Sequence, residues 1–506
     1  MQKIFPTFGD IQIGEPDANV EYYNAIRNNR NPIFIDSFFA MPSFPINDFF
    51  NGEKFLIYSQ NGTGKTAVIR YLEHRLKKDF STHFIVFRRS FLEEADLHAF
   101  STTPLMVDEK TIAKFKHFHH AIKRVLIFVL IKQTFNIDND YDADAPGKNT
   151  GWIDRIRDSS AGDLISLGFE SISSLFSSAG ADIDNITSGK ALLDAGKLLK
   201  RNNDDLLNFL VRRAKRLRAK ACILIDEIHF AYRSEDALQQ DAMLVRDCIL
   251  AVHSLNDRFT EESIDLRIYS AVRSEYLEHP IISSADVNQS VESVGYNLTW
   301  STFPHNRDHP LFKVVFERFK ASIGSEFTLG DFFRIYLSGT DPSIFLSRTW
   351  LKPRDFIRFF KCAKEQYAHS SKLSQAEQNA VWRNYSQLSW NEVKSSASPF
   401  MNAPSIEMLE SKFRDIIPRI IDKLIVINYE DFNAILKPIY KSAKGQHINF
   451  YSMNHFIELL YIIGFFSTMR EDASGQGIVQ SYQRGNRSFQ RDGRILIHPA
   501  ILKAFG

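Results

Sequence analysis

The chain has 506 residues, and this length is too great for one ordinary hydrophobic core and predicts about three domains. A hydrophobic content of 44% with 24% charged residues is typical of a globular protein, and the net charge of +2 excludes neither nucleic acid nor protein partners. The three cysteines form no CxxC pair, which argues against a disulfide framework or a zinc site and favours a reducing compartment. The N-terminus lacks the apolar core of a signal peptide, and the most apolar run, at 125–131, is far shorter than the about 20 residues of a membrane span. We therefore expect a cytoplasmic protein without a membrane partner, and a core helix at that run.

The stretch from Lys54 to Leu76 organises the rest of the chain. Phe55 to Tyr58 is a short unbroken apolar run, as expected of a parallel strand that is buried on both faces. The sequence SQNGTGKT follows at 59–66, and the apolar residues after it recur with the spacing of a helix. A strand, a glycine-bearing loop and a helix N-terminus in this order build a cradle for an anion.

The loop matches the Walker A pattern GxxxxGK[ST] in its last three residues, with Ser59 at the position where the first glycine is usual. We expect unpaired backbone N–H groups to converge on phosphate, Lys65 to reach the β- and γ-phosphates of ATP, and the Thr66 hydroxyl to bind Mg²⁺. The predicted nucleotide-binding residues of this loop are Gln60, Asn61, Gly62, Thr63, Gly64, Lys65, Thr66 and Ala67. The alternative is a chance GKT sequence in an ordinary turn.

Further strands are predicted at 83–89, 222–225, 266–272 and 296–300, and they alternate with helices. This alternation indicates an α/β fold with a parallel sheet, of the P-loop NTPase type, whose ligands lie at the carboxyl ends of the strands. The interval from Lys65 to Asp226 is far longer than one crossover requires, so we predict a mainly helical insertion at about 91–220.

The character of the chain changes to helices after about residue 310. We predict helices at 311–322, 328–337 and 353–367, and then a polar, Ser-rich interdomain connection with some helix at 368–404. Three more helices are predicted at 406–424, 429–441 and 452–463. Two or three short strands with Gly-rich turns then complete a winged-helix-like unit. The predicted domains are an ATPase domain at 1–305, a helical lid-like domain at 306–404 and a winged-helix-like domain at 405–506.

An acidic pair, Asp226 and Glu227, follows the apolar strand ILI. An aspartate at the end of such a strand can hold Mg²⁺ opposite Thr66, and the adjacent glutamate can orient and deprotonate an attacking water. Adjacent buried carboxylates are costly unless a cation or a water network compensates them. The alternatives are a structural pair at the start of a loop and nucleotide binding without hydrolysis.

Two arginines are candidates for contact with the γ-phosphate. Arg273 follows the strand predicted beside that of the acidic pair, and its alternative role is a surface salt bridge with Glu275 or Glu278. Arg354 begins a helix in KPRDFIRFF and is predicted to reach the nucleotide from the helical domain, with simple surface exposure as its alternative.

Other charged clusters have a solvated surface as the alternative to a binding site. The basic cluster at 212–220 either complements a helix C-terminus or contacts a phosphate backbone. The arginines of the C-terminal hairpin suit nucleic acid, a solvated hairpin or a protein interface, and Tyr482 and Phe489 are interleaved with them. These arginines are Arg484, Arg487, Arg491 and Arg494. The histidines at 117–120 and the aspartates at 138–144 lack the spacing of zinc or calcium sites.

In these motifs, the chain resembles prokaryotic stand-alone P-loop ATPases on the AAA+/STAND side of the additional-strand class. More narrowly, it is similar to a little-characterised family whose motifs are here Phe8-Gly9, Ala18 and Glu21, Lys65-Thr66, Asp226-Glu227, Arg273 and Pro353-Arg354-Asp355. Family members usually follow the acidic pair with Leu-Asp, whereas this chain has Ile228-His229. The resemblance implies a C-terminal winged-helix-like region and a setting near mobile-element and phage-defence genes.

We therefore predict a Mg²⁺-dependent ATPase that acts as a molecular switch with a protein effector or with further copies of itself, in a defence-type system. Lys65, Glu227 and Arg273 are the predicted catalytic residues, Thr66 and Asp226 the metal ligands, and Arg354 a further nucleotide contact. The rivals are a DNA-binding protein whose loading ATP controls, a nucleotide-bound scaffold without hydrolysis, and a small-molecule kinase.

Overall fold

A computed structural model describes residues 5–87, 112–137, 151–159, 163, 167, 189–228, 235–277, 282–283, 285–398, 401–416, 426–443, 452–471, 477–486, 489, 491 and 494–505. It shows a mixed α/β protein with a central parallel sheet and many helices. Within these residues, no helix is both long enough and apolar enough to cross a membrane.

The central sheet has five parallel strands in the order β2-β3-β4-β1-β5. Strand β4 therefore lies between β1 and β3, which are far apart in sequence. The strands are β1 (Leu56–Ser59), β2 (Ser81–Val86), β3 (Ala221–Ile228), β4 (Leu266–Arg273) and β5 (Gly295–Asn297). Because the strands are parallel, their carboxyl ends meet at one edge, where the chain places its polar residues.

Helices cover this sheet and bury its apolar strands. They are α1 (Ala18–Arg27), α2 (Ile33–Asp36), α3 (Ile46–Asn51), α4 (Lys65–Leu76), α5 (Ile112–Ile137), α6 (Gly151–Asp158), α7 (Gly189–Leu217), α8 (Glu235–Glu261), α9 (Ser274–Leu277) and α10 (Ala285–Val294). Helix α4 packs on β1, β3 and β4 and is itself contacted by α1, α2 and α3, whereas α5 and α8 pack on the sheet and on each other. The run at 125–131 lies inside α5 and is buried, as predicted for a core helix.

A helical unit follows the sheet. It comprises α11 (Pro310–Ile323), α12 (Leu329–Ile335), α13 (Pro342–Ser347), α14 (Pro353–Gln366) and α15 (Gln375–Ala397). Phenylalanines fill its centre, with edge-to-face contacts such as Phe312–Phe333 and Phe319–Phe360. The predicted connection with some helix at 368–404 is mostly helix, because α15 occupies most of it and buries Trp382, Tyr385 and Trp390.

The last part of the chain combines helices with a small antiparallel sheet. Its helices are α16 (Ala403–Ile416), α17 (Tyr429–Ala443), α18 (Met453–Ile462) and α19 (Pro499–Leu502). Its four strands lie in the order β6-β9-β7-β8, and they are β6 (Val426–Ile427), β7 (Phe466–Glu471), β8 (Gly477–Gln480) and β9 (Arg494–Ile497). The sequence predicted the strands of the tail but not β6. Helix α19 packs against α15, so this C-terminal unit is joined to the helical unit.

The N-terminal segment ties the helical unit to the sheet domain. Phe8 is fully buried, and a Cβ at Gly9 would lie 2.8 Å from the carbonyl oxygen of Ala368, so the close approach of the two backbones requires glycine. Glu21 on α1 forms a buried salt bridge of 2.9 Å with Arg318 on α11. The motif residues Phe8, Gly9 and Glu21 thus hold tertiary contacts.

Candidate functional site

The loop between β1 and α4 folds around the ammonium group of Lys65. Lys65 Nζ donates hydrogen bonds of 2.7 Å to the carbonyl oxygens of both Ser59 and Gln60. Gly62 and Gly64 have φ values of 82° and 103°, which residues other than glycine rarely adopt. The result is a tight loop with one cation at its centre and the N-terminus of a twelve-residue helix directly behind it.

The acidic pair lies in the last residues of β3, at the strand end that the sequence predicted, and the strand continues to Ile228. The ladder between β3 and β4 shifts register between Ile225 and Ile228, and Glu227 has a φ of 56°. This left-handed conformation is uncommon for a residue with a side chain and is typical of functional sites.

The pKa values of both carboxyl groups of the acidic pair are raised. Burial raises the pKa of Asp226, which is only 2% exposed, although hydrogen bonds from Thr66 and Asn19 and the charge of Lys65 oppose this. Burial and the neighbouring Asp226 raise the pKa of Glu227, while Asn19 and Arg273 lower it. The hydrogen bond between Thr66 and Asp226 shows that the loop and the acidic pair, distant in sequence, are adjacent in space.

Asn19 is a site residue that the sequence analysis missed. Its Nδ2 lies 3.3 Å from Asp226 Oδ2 and 3.2 Å from Glu227 Oε1, so one amide group bridges both carboxylates. Its Oδ1 accepts a hydrogen bond of 3.1 Å from Arg70 Nε, which fixes the orientation of the amide. The only sequence signal near it was the motif at Ala18 and Glu21 on the same helix, and a lone asparagine has no spacing that would single it out.

Arg273 ends β4, the strand between the loop strand and the acidic strand. It is paired in register with Ser59, the first residue of the loop, and its charge acts on Glu227. Its predicted position beside the acidic strand is therefore confirmed.

Arg354 reaches the loop from the helical unit. Its backbone N–H donates to the carbonyl oxygen of Gly62 at 3.4 Å, and its Nη1 lies 2.9 Å from Glu392 Oε1 on α15. Trp300, another residue that the sequence analysis missed, donates from Nε1 to the carbonyl oxygen of Thr63 at 2.9 Å. The loop is thus held from the sheet edge and from the helical unit.

These groups border one cavity of about 330 Å³, within the usual range for a small-molecule site. The residues of the loop, the acidic pair and the two arginines line it: Asn61, Gly62, Thr63, Gly64, Lys65, Thr66, Ala67, Asp226, Glu227, Arg273 and Arg354. Aromatic and apolar residues of the N-terminal segment also line it: Phe34, Phe38, Phe39, Met41 and Phe44. Gln60 is the one predicted loop residue outside this lining, because its side chain donates to the carbonyl oxygen of Tyr482 in the C-terminal unit.

Within the described residues, the other charged clusters do not form a comparable site. Arg213 is fully buried and donates to Thr134, which contradicts a phosphate-contacting role for this member of the basic cluster. Lys215 is paired with Glu262 at 2.6 Å. Among the residues that the structure describes, no group of three or more His, Cys, Asp or Glu has the arrangement of a metal centre. The aspartates at 138–144 and the side chain of His117 lie outside the described residues.

The arginines of the C-terminal hairpin are only partly surface groups. Arg484 Nη2 donates to the carbonyl oxygens of Ser347 at 2.9 Å and Thr349 at 2.7 Å, and burial lowers the pKa of Arg484 to about 10. Arg491 lies 3.5 Å from Glu458, Tyr482 is buried, and Phe489 packs on Tyr461. Arg487 lies outside the described residues. Of the predicted alternatives, a solvated position is wrong for Arg484, because this arginine ties the hairpin to the helical unit.

Neither a comparison with protein-family models nor one with curated proteins finds a match for this chain. The resemblance drawn from the motifs therefore stays a prediction.

Proposed function

We propose that the protein is a Mg²⁺-dependent P-loop ATPase that acts as a molecular switch. The observation that carries this proposal is that Lys65, Thr66 and the acidic pair border one cavity. The strand order supports it, because β4 lies between the loop strand and the acidic strand, as the additional-strand class requires.

In this proposal the loop binds the phosphates. The N-terminus of α4 offers backbone N–H groups and the positive end of its dipole, and Lys65 adds a full charge. Lys65 now donates to two carbonyl oxygens of its own loop, so phosphate oxygens would replace acceptors that are already arranged around it.

Thr66 and Asp226 suit a magnesium ion. A hydroxyl and a buried carboxylate with a raised pKa lie within hydrogen-bonding distance, and a cation there would favour the charged carboxylate. Two protein ligands are enough, since Mg²⁺ usually keeps several waters and is completed by substrate phosphates. The ion would neutralise charge that develops on the phosphates.

Glu227 is placed to activate the attacking water. Its pKa is raised, and a carboxylate with a raised pKa is a stronger base. Asn19 holds one carboxylate oxygen at 3.2 Å and so orients the group, while Arg273 is positioned to stabilise negative charge near it. Apolar residues such as Phe34, Phe38 and Phe44 offer a surface for the base of the nucleotide.

The helical and C-terminal units are the proposed readout of the switch. They contact the loop through Arg354 and through Gln60, which links it to Tyr482. The helices and the four-stranded antiparallel sheet of the C-terminal unit are consistent with a winged-helix-like region, and its output would be a protein effector or self-assembly. The buried role of Arg484 weighs against the DNA-binding rival.

Mg²⁺–ATP binding by titration calorimetry tests this proposal. Lys65→Ala should weaken binding by roughly 10- to 100-fold, because a charge-assisted contact with phosphate is lost. Lys54→Ala is the matched control, since Lys54 Nζ also donates to a backbone carbonyl, that of Gly295 at 3.1 Å, but belongs to the opposite end of β1. Equal loss in both variants, or no binding by the unaltered protein, would contradict the proposal.

A further inference from the structure

Glu392, on helix α15, joins the phosphate loop to the helical unit. Its Oε1 accepts from Arg354 Nη1 at 2.9 Å and lies 3.4 Å from Nδ2 of Asn61, a residue of the loop. Its Oε2 accepts a hydrogen bond from Arg358 Nη2. One carboxylate therefore contacts the loop and two arginines of α14.

The two arginines are held differently. Arg358 is only 9% exposed, and its Nη1 also donates to Ser389 at 3.1 Å, so it is fixed inside the helical unit. The Arg354 side chain is 20% exposed and lines the cavity, and its second carboxylate neighbour, Asp17, is 4.0 Å away. Arg354 can turn away from Glu392 without leaving that carboxylate uncompensated, because Arg358 stays bound.

Glu392 keeps its charge throughout the physiological range. Burial alone would raise the pKa of Glu392, but Arg354 and Arg358 outweigh it and lower this pKa to about 2. The ionised carboxylate of Glu392 and the phosphates of a nucleoside triphosphate would both accept hydrogen bonds from the guanidinium group of Arg354.

We propose that Glu392 is an exchangeable partner of Arg354, and that the terminal phosphate of a bound nucleoside triphosphate takes Arg354 from it. This inference rests on the proposed function and adds a regulatory contact to that site. The exchange couples binding of the nucleoside triphosphate at the loop to the position of α15.

The same helix carries the contact to the C-terminal unit. Trp390, two positions before Glu392, packs on Phe505 with a centroid distance of 4.9 Å and on Phe465 at 5.9 Å. Its Nε1 donates to Glu410 on α16 at 3.0 Å. A change at Glu392 is therefore passed to the C-terminal unit through a helix that is packed on both sides.

A double-mutant cycle with Glu392→Gln and Arg354→Gln tests the exchange, with Mg²⁺–ATP and Mg²⁺–ADP as ligands. Glu392→Gln should tighten ATP binding about fivefold, because the competing charge is removed, and should change ADP binding less. In the Arg354→Gln background the same change should have almost no effect. Glu407→Gln, at an exposed position of α16, is the control for loss of a negative charge, and it should leave both affinities unchanged.

Unchanged or weaker ATP binding by Glu392→Gln would overturn the inference, as would an equal gain in the Arg354→Gln background. If Glu392→Gln does not fold, Glu392→Asp is the second variant, because it keeps the charge that pairs with Arg358 but shortens its reach to Arg354. Glu392→Asp should also increase the preference for ATP over ADP. An unchanged preference would overturn the inference. A protein that binds ATP independently of Lys65 contradicts the proposed function itself, so the two failures are distinguishable.

Discussion

Two glutamates beside the same loop have opposite electrostatic environments. Glu227, at the end of the sheet, lies next to another carboxylate, and burial and that neighbour raise its pKa. Glu392, in the helical unit, accepts from two guanidinium groups, and its pKa is lowered to about 2. The sheet edge leaves negative charge poorly compensated, whereas the helical unit compensates it fully.

In the proposed function, this difference separates a site for chemistry at the sheet edge from a stabilising and coupling contact in the helical unit. An incompletely compensated acidic pair costs folding free energy and is retained where a cation or substrate completes it. A carboxylate shared by two arginines stabilises the folded state and orients the groups that it holds. Replacing the charged neighbour of each glutamate by an uncharged residue should therefore change the free energy of unfolding in opposite directions. The change should destabilise the helical unit at Glu392 and stabilise the sheet edge at Glu227.

The largest effect is expected in the helical unit. Arg358→Ala should lower the free energy of unfolding by about 3 kcal/mol, because it removes a buried partner of Glu392 and leaves Ser389 without its donor. Urea unfolding monitored by circular dichroism measures this change. Arg334→Ala, which removes the exposed pair with Asp331, is the control and should change the stability very little. Equal effects would show that burial does not distinguish the two pairs.

A smaller effect of opposite sign is expected at the sheet edge. Asp226→Asn should stabilise the nucleotide-free protein at pH 7 by about 1 kcal/mol, because it removes a buried carboxylate whose pKa is raised. The native pKa lies above the unfolded value near 3.8, so protonated Asp226 contributes stability at low pH that is lost as the pH rises through the native pKa. The advantage of the asparagine variant should consequently vanish in thermal melts below about pH 4. A variant that is less stable than the original at pH 7 would contradict this view of the acidic pair.

The elements that local patterns encode could be predicted from the sequence. The buried strand before Ser59, the two glycines of the loop and the apolar stripe after Lys65 fix a strand, a turn and a helix without reference to the rest of the chain. The alternation of strands and helices then predicts that the loop, Asp226 and Arg273 meet at one edge of the sheet.

The contacts that complete the site could not be predicted in this way. Asn19 and Glu392 reach their partners across long stretches of sequence, and a single polar residue in a helix carries no periodic signal. The extension of β3 through Glu227 depends on a positive φ at a residue other than glycine, which tertiary contacts impose. The stretch that contains α15 was predicted as a connection with some helix because its sequence is polar and Ser-rich, although Ser386, Ser389 and two tryptophans lie on a buried face.

The most direct test of the central claim compares Mg²⁺–ATP binding with phosphate release in the Glu227→Gln variant. We expect this variant to bind ATP as the original protein does and to lose at least about 100-fold in turnover, because the amide cannot accept the proton of the attacking water. Glu365→Gln, at an exposed position of α14, should lose neither property. Turnover by Glu227→Gln equal to that of the original protein would contradict the assignment of the acidic pair and, with it, the proposed ATPase mechanism.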